Sequence, residues 1–357
     1  MQKLNTSLLE KISKLKEEIK QARNILITSH YSPDDDAIGS LLSLYQILKN
    51  PDQKVYMSLE DSLPQRHSFL KYSDKVIFSD LSDVIKDKRI DTLILLDGNE
   101  LTRFSRSIQN FLDVIKDKDL KVLCVDHHLC QDPSVFDLYI NMGRKSTAEQ
   151  LFIIFQEELK EKLDFNIAQS LMVAILGDTN RFLYKNDFYK DTFEISAKLI
   201  EKGVSIEDLN SNLGRIDSAE LRLMSTLFNN LHVTDSYNYS YFTDQDLTKF
   251  KKERFSSDSY SSAYHRFVDA YIRFIDNNHW GFVFVPDYNE KGVYKGSFRA
   301  TNGTVDTTKF TVPLGGGGHK PASGFRIEAN SWQDALTILI HSIESNLDEA
   351  IKSGQEK

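Results

Sequence analysis

An acid and two imidazoles stand together where the apolar run 120–125 stops: Asp126, His127 and His128. A carboxylate beside two histidines at the mouth of a buried strand can hold a metal ion or move protons. Open α/β sheets keep their chemistry at such carboxyl ends. Three further clusters share this placement. His30, Asp34 and Asp36 follow the β-branched run 24–28, with Pro33 stiffening the turn and Gly39 near a helix start. Asp97 closes the run 92–96, and Asp178 follows an apolar helical pattern in Gly177-Asp178-Thr179. Each cluster alone has a plain reading as a helix cap or turn acid. Four of them, each ending an apolar element of one α/β pattern, point instead to converging ligands. Imidazoles with several carboxylates make a hard, oxygen-rich set that suits Mn²⁺ or Mg²⁺ better than a thiolate-seeking metal. A bridging carboxylate can hold two cations roughly 3.5–4 Å apart, and such pairs activate water near neutral pH.

The elements that would position these residues are legible as patterns. Runs 24–28, 54–58, 92–96 and 121–125 read as strands, separated by helical patterns that include 38–49. Uninterrupted Leu and Ile at 92–96 suit a sheet covered on both faces. Strand–helix alternation implies right-handed crossovers and a parallel sheet. Residues 1–23 read as an amphipathic surface helix, and 147–163, 166–176, 193–202 and 219–231 as further helices. From about residue 235 the character changes, with strands expected at 239–242, 281–285 and 294–300 and a closing helix at 332–352. The expected organisation is a catalytic α/β domain at 1–210, a helical linker at 211–235 and a smaller mixed α/β domain at 236–357.

Composition narrows the function classes. The 357 residues carry a net charge of −8, which argues against a chain held on long duplex nucleic acid by a broad basic surface. A small anionic substrate gripped by cations and a few Arg or Lys side chains fits. Two cysteines give no disulfide framework, so a reducing cytoplasm is the expected compartment. Cys124 alternates within an apolar strand and reads as a small core residue. No run approaches membrane-spanning length. His341 reads as a packed core or boundary residue. His67, His232, His265 and His279 read as surface or boundary residues.

Near the other end, Gly315-Gly316-Gly317-Gly318-His319 precedes Lys320-Pro321-Ala322-Ser323-Gly324. Consecutive glycines expose backbone N–H groups that suit a phosphate. Upstream, Arg299 ends a strand pattern and offers a guanidinium for the same purpose.

Taken together, His30 with Pro33-Asp34-Asp35-Asp36-Ala37-Ile38-Gly39-Ser40, Asp97, Asp126-His127-His128, Ser146-Thr147-Ala148-Glu149 and Gly177-Asp178-Thr179 resemble the DHH family of phosphoesterases. The glycine run with His319, and Arg299, resemble the family's DHH-associated substrate-binding domain. The resemblance implies a parallel-sheet domain with a smaller mixed α/β domain closing over it, and two Mn²⁺ per chain, with Mg²⁺ or Co²⁺ as substitutes. His30, Asp34 and Asp178 would hold one cation, Asp36 and His127 the other, and Asp97 would bridge. His128 would contact the scissile phosphate and protonate the leaving oxygen, and Asp126 would orient the histidines. Asp35, an acid where many relatives carry a small residue, would face solvent. Arg299, Gly316, Gly317, Gly318 and His319 would hold the nucleotide end of the substrate. The implied activity is hydrolysis of very short oligonucleotides such as pApA, and of 3′,5′-bisphosphonucleosides, to mononucleotides. Cyclic di-AMP hydrolysis, exopolyphosphatase action and a non-catalytic nucleotide-binding regulator are the alternatives. Relatives are often dimers, which admits a homodimer here.

Overall fold

A computed structural model describes residues 4–116, 120–184, 187–275, 278–301 and 303–355. The chain divides into two compact units, residues 1–215 and 216–357.

The first unit is a six-stranded parallel sheet with helices on both faces. In chain order it runs α1 (Thr6–Gln21), β1 (Asn24–Ser29), α2 (Asp35–Leu48), β2 (Lys54–Leu59), β3 (Ile77–Phe78), α3 (Leu81–Lys88), β4 (Thr92–Leu96), α4 (Ile108–Lys116), β5 (Lys121–Val125), β6 (Leu138–Ile140), α5 (Thr147–Ile154), α6 (Gln156–Lys162), α7 (Phe165–Asp178), α8 (Tyr189–Ile200) and α9 (Ile206–Leu213). The strand order is β3-β2-β1-β4-β5-β6. The chain therefore moves outward from β1 through β2 and β3, then crosses back to build β4, β5 and β6. The reversal falls between β1 and β4, where doubly wound sheets open a crevice at their carboxyl ends. Two-sided burial explains the unbroken apolar strands. Ile25, Ile27, Ile94, Leu96, Leu123 and Val125 pack with α1, α2, α5 and α7. The alternate residues Leu26, Leu93, Leu95, Val122 and Cys124 pack with α3 and α4.

The second unit is a mixed six-stranded sheet of order β11-β12-β10-β9-β8-β7. Its elements are α10 (Ser218–Asn229), β7 (His232–Val233), β8 (Asn238–Tyr241), α11 (Asp244–Lys252), α12 (Ser257–Ala270), β9 (Trp280–Pro286), β10 (Val293–Ala300), α13 (Thr308–Thr311), β11 (Gly317–His319), β12 (Ala322–Glu328) and α14 (Trp332–Gln355). Phe282, Phe284, Tyr294 and Phe298 pack under α14, while Val283 and Val285 face α10, α11 and α12. Within 211–235, expected as a linker, α10 contributes Leu223, Met224 and Leu227 to the core of this unit.

Several boundaries depart from expectation for identifiable reasons. The helix expected from residue 38 begins at Asp35, because Asp34 caps it and the acids at 35 and 36 suit the positive end of a helix. The helix expected at 147–163 is broken at Phe155 into α5 and α6. His341 is exposed, not packed. Leu339 and Ile343 are buried on either side of it, and two residues along a helix turn a side chain to the opposite face. No helix among the described residues is long and apolar enough to cross a membrane.

Candidate metal centre

The local folding rules place the acids before any ligand is considered. Asp34 is the N-cap of α2, its Oδ1 accepting from the N–H groups of Asp36 and Ala37 at 3.0 Å each. Asp36, one turn position later, is fully buried. Its two oxygens accept from Thr147 N at 2.7 Å, Ala148 N at 3.1 Å and Ser40 Oγ at 3.1 Å. The positive end of α5 thus points at Asp36. A reciprocal cap between Ser146 and Glu149 fixes where α5 starts. Glu149 is fixed in turn by the hydroxyl of Thr192.

Close packing of α2 against α7 brings in the last acid. A Cβ on Gly39 would lie 2.4 Å from the carbonyl oxygen of Ser170, and one on Gly177 would lie 2.5 Å from the Cβ of Asp35. Only glycine allows this approach, which sets Asp178, the final residue of α7, beside the start of α2. Asp97 leaves β4 in a left-handed conformation, φ 57°, which Asp tolerates better than most residues. Its N–H donates to Val125 O at 3.1 Å, holding the turn to β5.

The four clusters converge. His127 Nε2 lies 3.0 Å from Asp178 Oδ2, 3.2 Å from Asp97 Oδ1 and 4.0 Å from Asp36 Oδ2. His30 Nε2 lies 3.5 Å from Asp97 Oδ2. Three donor groups result, each with ligand atoms within 4.8 Å of one another: His30, Asp34 and Asp97; Asp36, His127 and Asp178; Asp97, His127 and His128. Asp97 belongs to two of them, and so does His127. His128 turns its Nδ1 to Asp126 Oδ1 at 2.8 Å, with Asp97 Oδ1 farther away at 3.7 Å. The other oxygen of Asp126 accepts from the Tyr139 hydroxyl at 2.9 Å, and His128 O accepts from that hydroxyl and from Asn141.

The electrostatics of this cluster call for positive charge. Crowding by protein, then the charges of Asp97 and Asp178, push the Asp34 carboxyl up to about 6, although an exposed edge lets water moderate the crowding. Burial and the same two neighbours push Asp36 well above the carboxylate range. Burial works against ionised Asp97 as well, but hydrogen bonds to His127 and His30 outweigh it and hold that carboxyl well down. For His127, burial opposes the charged form and is outweighed by Asp178 and Asp97, so its pKa is raised. His30 is raised similarly, its burial offset by Asp97 and Asp34. Protons on the imidazoles thus supply the charge balance that divalent cations would supply, at donors of the hard type those cations prefer. The residues fit one or more divalent cations.

Asp35, Arg66, His67 and Tyr139 lie next to this centre, and the contacts they make were not visible in the sequence. Asp35, expected to face solvent, is only partly exposed. Its Oδ1 accepts from Arg66 Nη2 at 2.9 Å and meets His67 Nε2 at 2.8 Å. Those partners outweigh burial and hold its pKa far below the usual carboxylate range. His67, expected near the surface, is fully buried. Arg66 and His67 sit in a one-turn helix with no recognisable pattern, so only the tertiary contact reveals them. Tyr139, on the short strand β6, was missed for the same reason. Cys124 is buried as expected, its thiol donating to Gly98 O at 3.3 Å. His232, His265 and His279 are exposed.

In the second unit two of the expected substrate contacts, Arg299 and His319, share one rung of the sheet. Ala322 of β12 stands opposite both Arg299 of β10 and His319 of β11. Arg299 is not an idle guanidinium: its Nε donates to Asp269 Oδ1 at 2.6 Å. The glycine run is not a loose loop either. Gly317–His319 forms an exposed edge strand against β12. A Cβ at Gly316 would lie 2.1 Å from Gly324 O, so tight hairpin packing alone already demands glycine there.

Residues 24–175 match the DHH family, N-terminal domain. The chain carries a DHH-family domain. The matched residues hold every donor of the centre except Asp178, which follows three residues later at the end of α7. Over the whole chain, similar proteins are the bifunctional oligoribonuclease and PAP phosphatase NrnA of Thermus thermophilus, 26% identical and covering 96% of both chains, and that of Bacillus subtilis, 25% identical over 88% of this chain and 92% of the relative. A crystal structure of an exopolyphosphatase-related protein from Bacteroides fragilis shares the fold, at TM-score 0.80 and 23% identity, over 96% of this chain and 98% of that one.

Proposed function

We propose that this protein hydrolyses very short oligonucleotides, 5′-phosphorylated dinucleotides foremost, and 3′,5′-bisphosphonucleosides, releasing mononucleotides with the help of two Mn²⁺ ions. The observation that carries the reading is the shared membership of Asp97 and His127 in overlapping donor groups, which suits two adjacent cations better than one. The NrnA-type relatives, aligned over nearly the full chain, support the substrate class. Bound cations in such a pair activate water and neutralise phosphoryl charge.

The chain's own residues supply the remainder. His30 and Asp34 are proposed as ligands on one side and Asp36, His127 and Asp178 on the other, with Asp97 between; Asp178, expected beside His30 and Asp34, stands in the donor group of Asp36 and His127. His128 is proposed to meet the phosphate and to protonate the leaving oxygen. With Asp126 accepting from Nδ1–H, the carboxylate would favour the doubly protonated ring, whose Nε2–H is then available for transfer. Arg299 and residues 316–319 are proposed as contacts to substrate phosphate. For Arg299 this requires sharing its guanidinium with Asp269, which orients the fork without covering all five donors.

Side-by-side turnover of 5′-phosphorylated dinucleotide, bisphosphonucleoside, cyclic dinucleotide and polyphosphate, each with Mn²⁺, tests the reading. The dinucleotide should be fastest, and should outpace oligomers of ten or more residues. Preference for polyphosphate would overturn it.

A further inference from the structure

A phosphoryl group brings its own negative charge to a centre already crowded with carboxylates. Oxygens that cations do not reach need a guanidinium or ammonium donor. In the first unit, arginines near the start of α2 and α5 are committed to acids. Arg66 donates to Asp35 at 2.9 Å, Arg106 to Asp61 at 2.7 Å and Arg144 to Asp191 at 2.5 Å.

Arg103 differs from all three. It ends the one-turn helix Leu101–Arg103, shortly after β4 and Asp97. Its carbonyl accepts from the N–H of Tyr31 at 3.0 Å, and the Tyr31 carbonyl meets His30 Nδ1 at 2.8 Å. Backbone hydrogen bonds therefore tie this turn to the loop that carries a proposed ligand. The side chain is half-buried. It has no carboxylate or hydrogen-bond partner among the described residues. A guanidinium that has lost part of its water without gaining an acid is held at a cost. An anion that arrives with the substrate would offset that cost.

We infer that Arg103 is a catalytic residue whose guanidinium donates charge-assisted hydrogen bonds to a non-bridging oxygen of the phosphoryl group under attack. The inference rests on the phosphoester hydrolysis proposed above. Because the turn is anchored through its backbone and the guanidinium has no acid partner among the described residues, the fork can meet the phosphoryl oxygen without first breaking an ion pair. Donors of this kind, aimed where charge develops, typically contribute roughly 10²–10³-fold in rate.

The test uses the full chain loaded with Mn²⁺ and compares wild type, Arg103→Ala and Arg103→Lys on a 5′-phosphorylated dinucleotide. Arg103→Ala should lower kcat by about 10²–10³-fold and raise KM by no more than about tenfold, while metal content stays near wild type. Added guanidinium ion should restore part of that rate, and Arg103→Lys should fall between, since an ammonium cannot reproduce the fork. Binding of inorganic phosphate to the loaded protein, followed by calorimetry, should weaken on the order of tenfold in Arg103→Ala, the loss of one charge-assisted contact. A kcat within threefold of wild type together with unchanged phosphate affinity would overturn the assignment, and so would loss of metal in the variant. If wild type hydrolyses no short oligonucleotide, yet phosphate binding still weakens in Arg103→Ala, the anion contact stands and the proposed reaction falls.

Discussion

The two units handle charge in opposite ways. In the first, four acids and three imidazoles sit within reach of one another, and two of the acids, Asp36 and Asp97, are almost wholly shielded from solvent. Among the described residues these acids form no ion pair with Lys or Arg; their partners are imidazoles and helix-end N–H groups. In the second, the residues expected to meet substrate lie on the edge strand β11 and the interior strand β10, and the principal cation is already paired, Arg299 with Asp269. The contrast fits the proposal of a resident cation in one region and a ligand that comes and goes in the other. A permanent ligand must be designed into the folded state's electrostatics. A transient one requires only a cation with a displaceable partner.

Breaking the shared ligand should have the largest effect. Asp97→Asn removes the carboxylate common to two donor groups. Activity should fall by roughly 10³-fold or more, since the several kcal/mol of charge stabilisation supplied by cations goes with it. Near-normal turnover by a folded variant would show that Asp97 is a turn acid only. On the second unit the expected loss is smaller. Arg299→Ala should weaken substrate binding by about 1.5–3 kcal/mol, roughly 10–150-fold in KM, with metal content unchanged. Asp269→Ala sharpens the point: if Asp269 merely parks the guanidinium, that variant should bind substrate at least as well as wild type.

Packing sets the next effect. Gly177→Ala places a methyl 2.5 Å from the Cβ of Asp35. Overpacking of this kind typically costs about 1–3 kcal/mol, and here it would push α2 away from α7. Thermal melting should drop, and metal affinity should drop with it. A variant that melts lower but binds metal normally would separate the helix contact from the site.

The smallest effect is a slope. Asp34 is held up to about 6 in the folded, metal-free chain, against an ordinary carboxyl near about 4 when unfolded. The folded chain therefore binds that proton more tightly, and the metal-free protein should lose stability as pH rises from about 4 through 6. Raised His127 has the same sign and extends the loss above its ordinary titration range. Adding Mn²⁺ should flatten or invert this trend, because cation binding favours deprotonated ligands. Melting temperatures across that range, with and without metal, read it directly. A metal-free protein that becomes more stable over the same interval would contradict the charge balance described.

Much of this was legible in the sequence, for physical reasons. Strands β1, β2, β4 and β5 are buried on both faces or nearly so, and continuous β-branched or Leu-rich runs announce them. The acids were visible because each follows such a run. Edge strands β3 and β6 span only two and three residues, too short for any period to show. Asp35 was misjudged because its partners Arg66 and His67 lie about thirty residues away in an unpatterned turn. Arg103 escaped notice because an unpaired arginine leaves no pattern in sequence. The glycine run was read for its bare N–H groups, while close packing against β12 was not foreseeable without the pairing register.

The central claim is that the four clusters form one centre for two cations, built around Asp97 and His127. Calorimetric titration of Mn²⁺ into metal-free wild-type protein tests it most directly, with Asp97→Asn as the partner experiment. Two saturable sites per chain in wild type, with at least one lost in Asp97→Asn, is the expected result. Absence of saturable binding, or full turnover of short oligonucleotides in excess chelator, would contradict it.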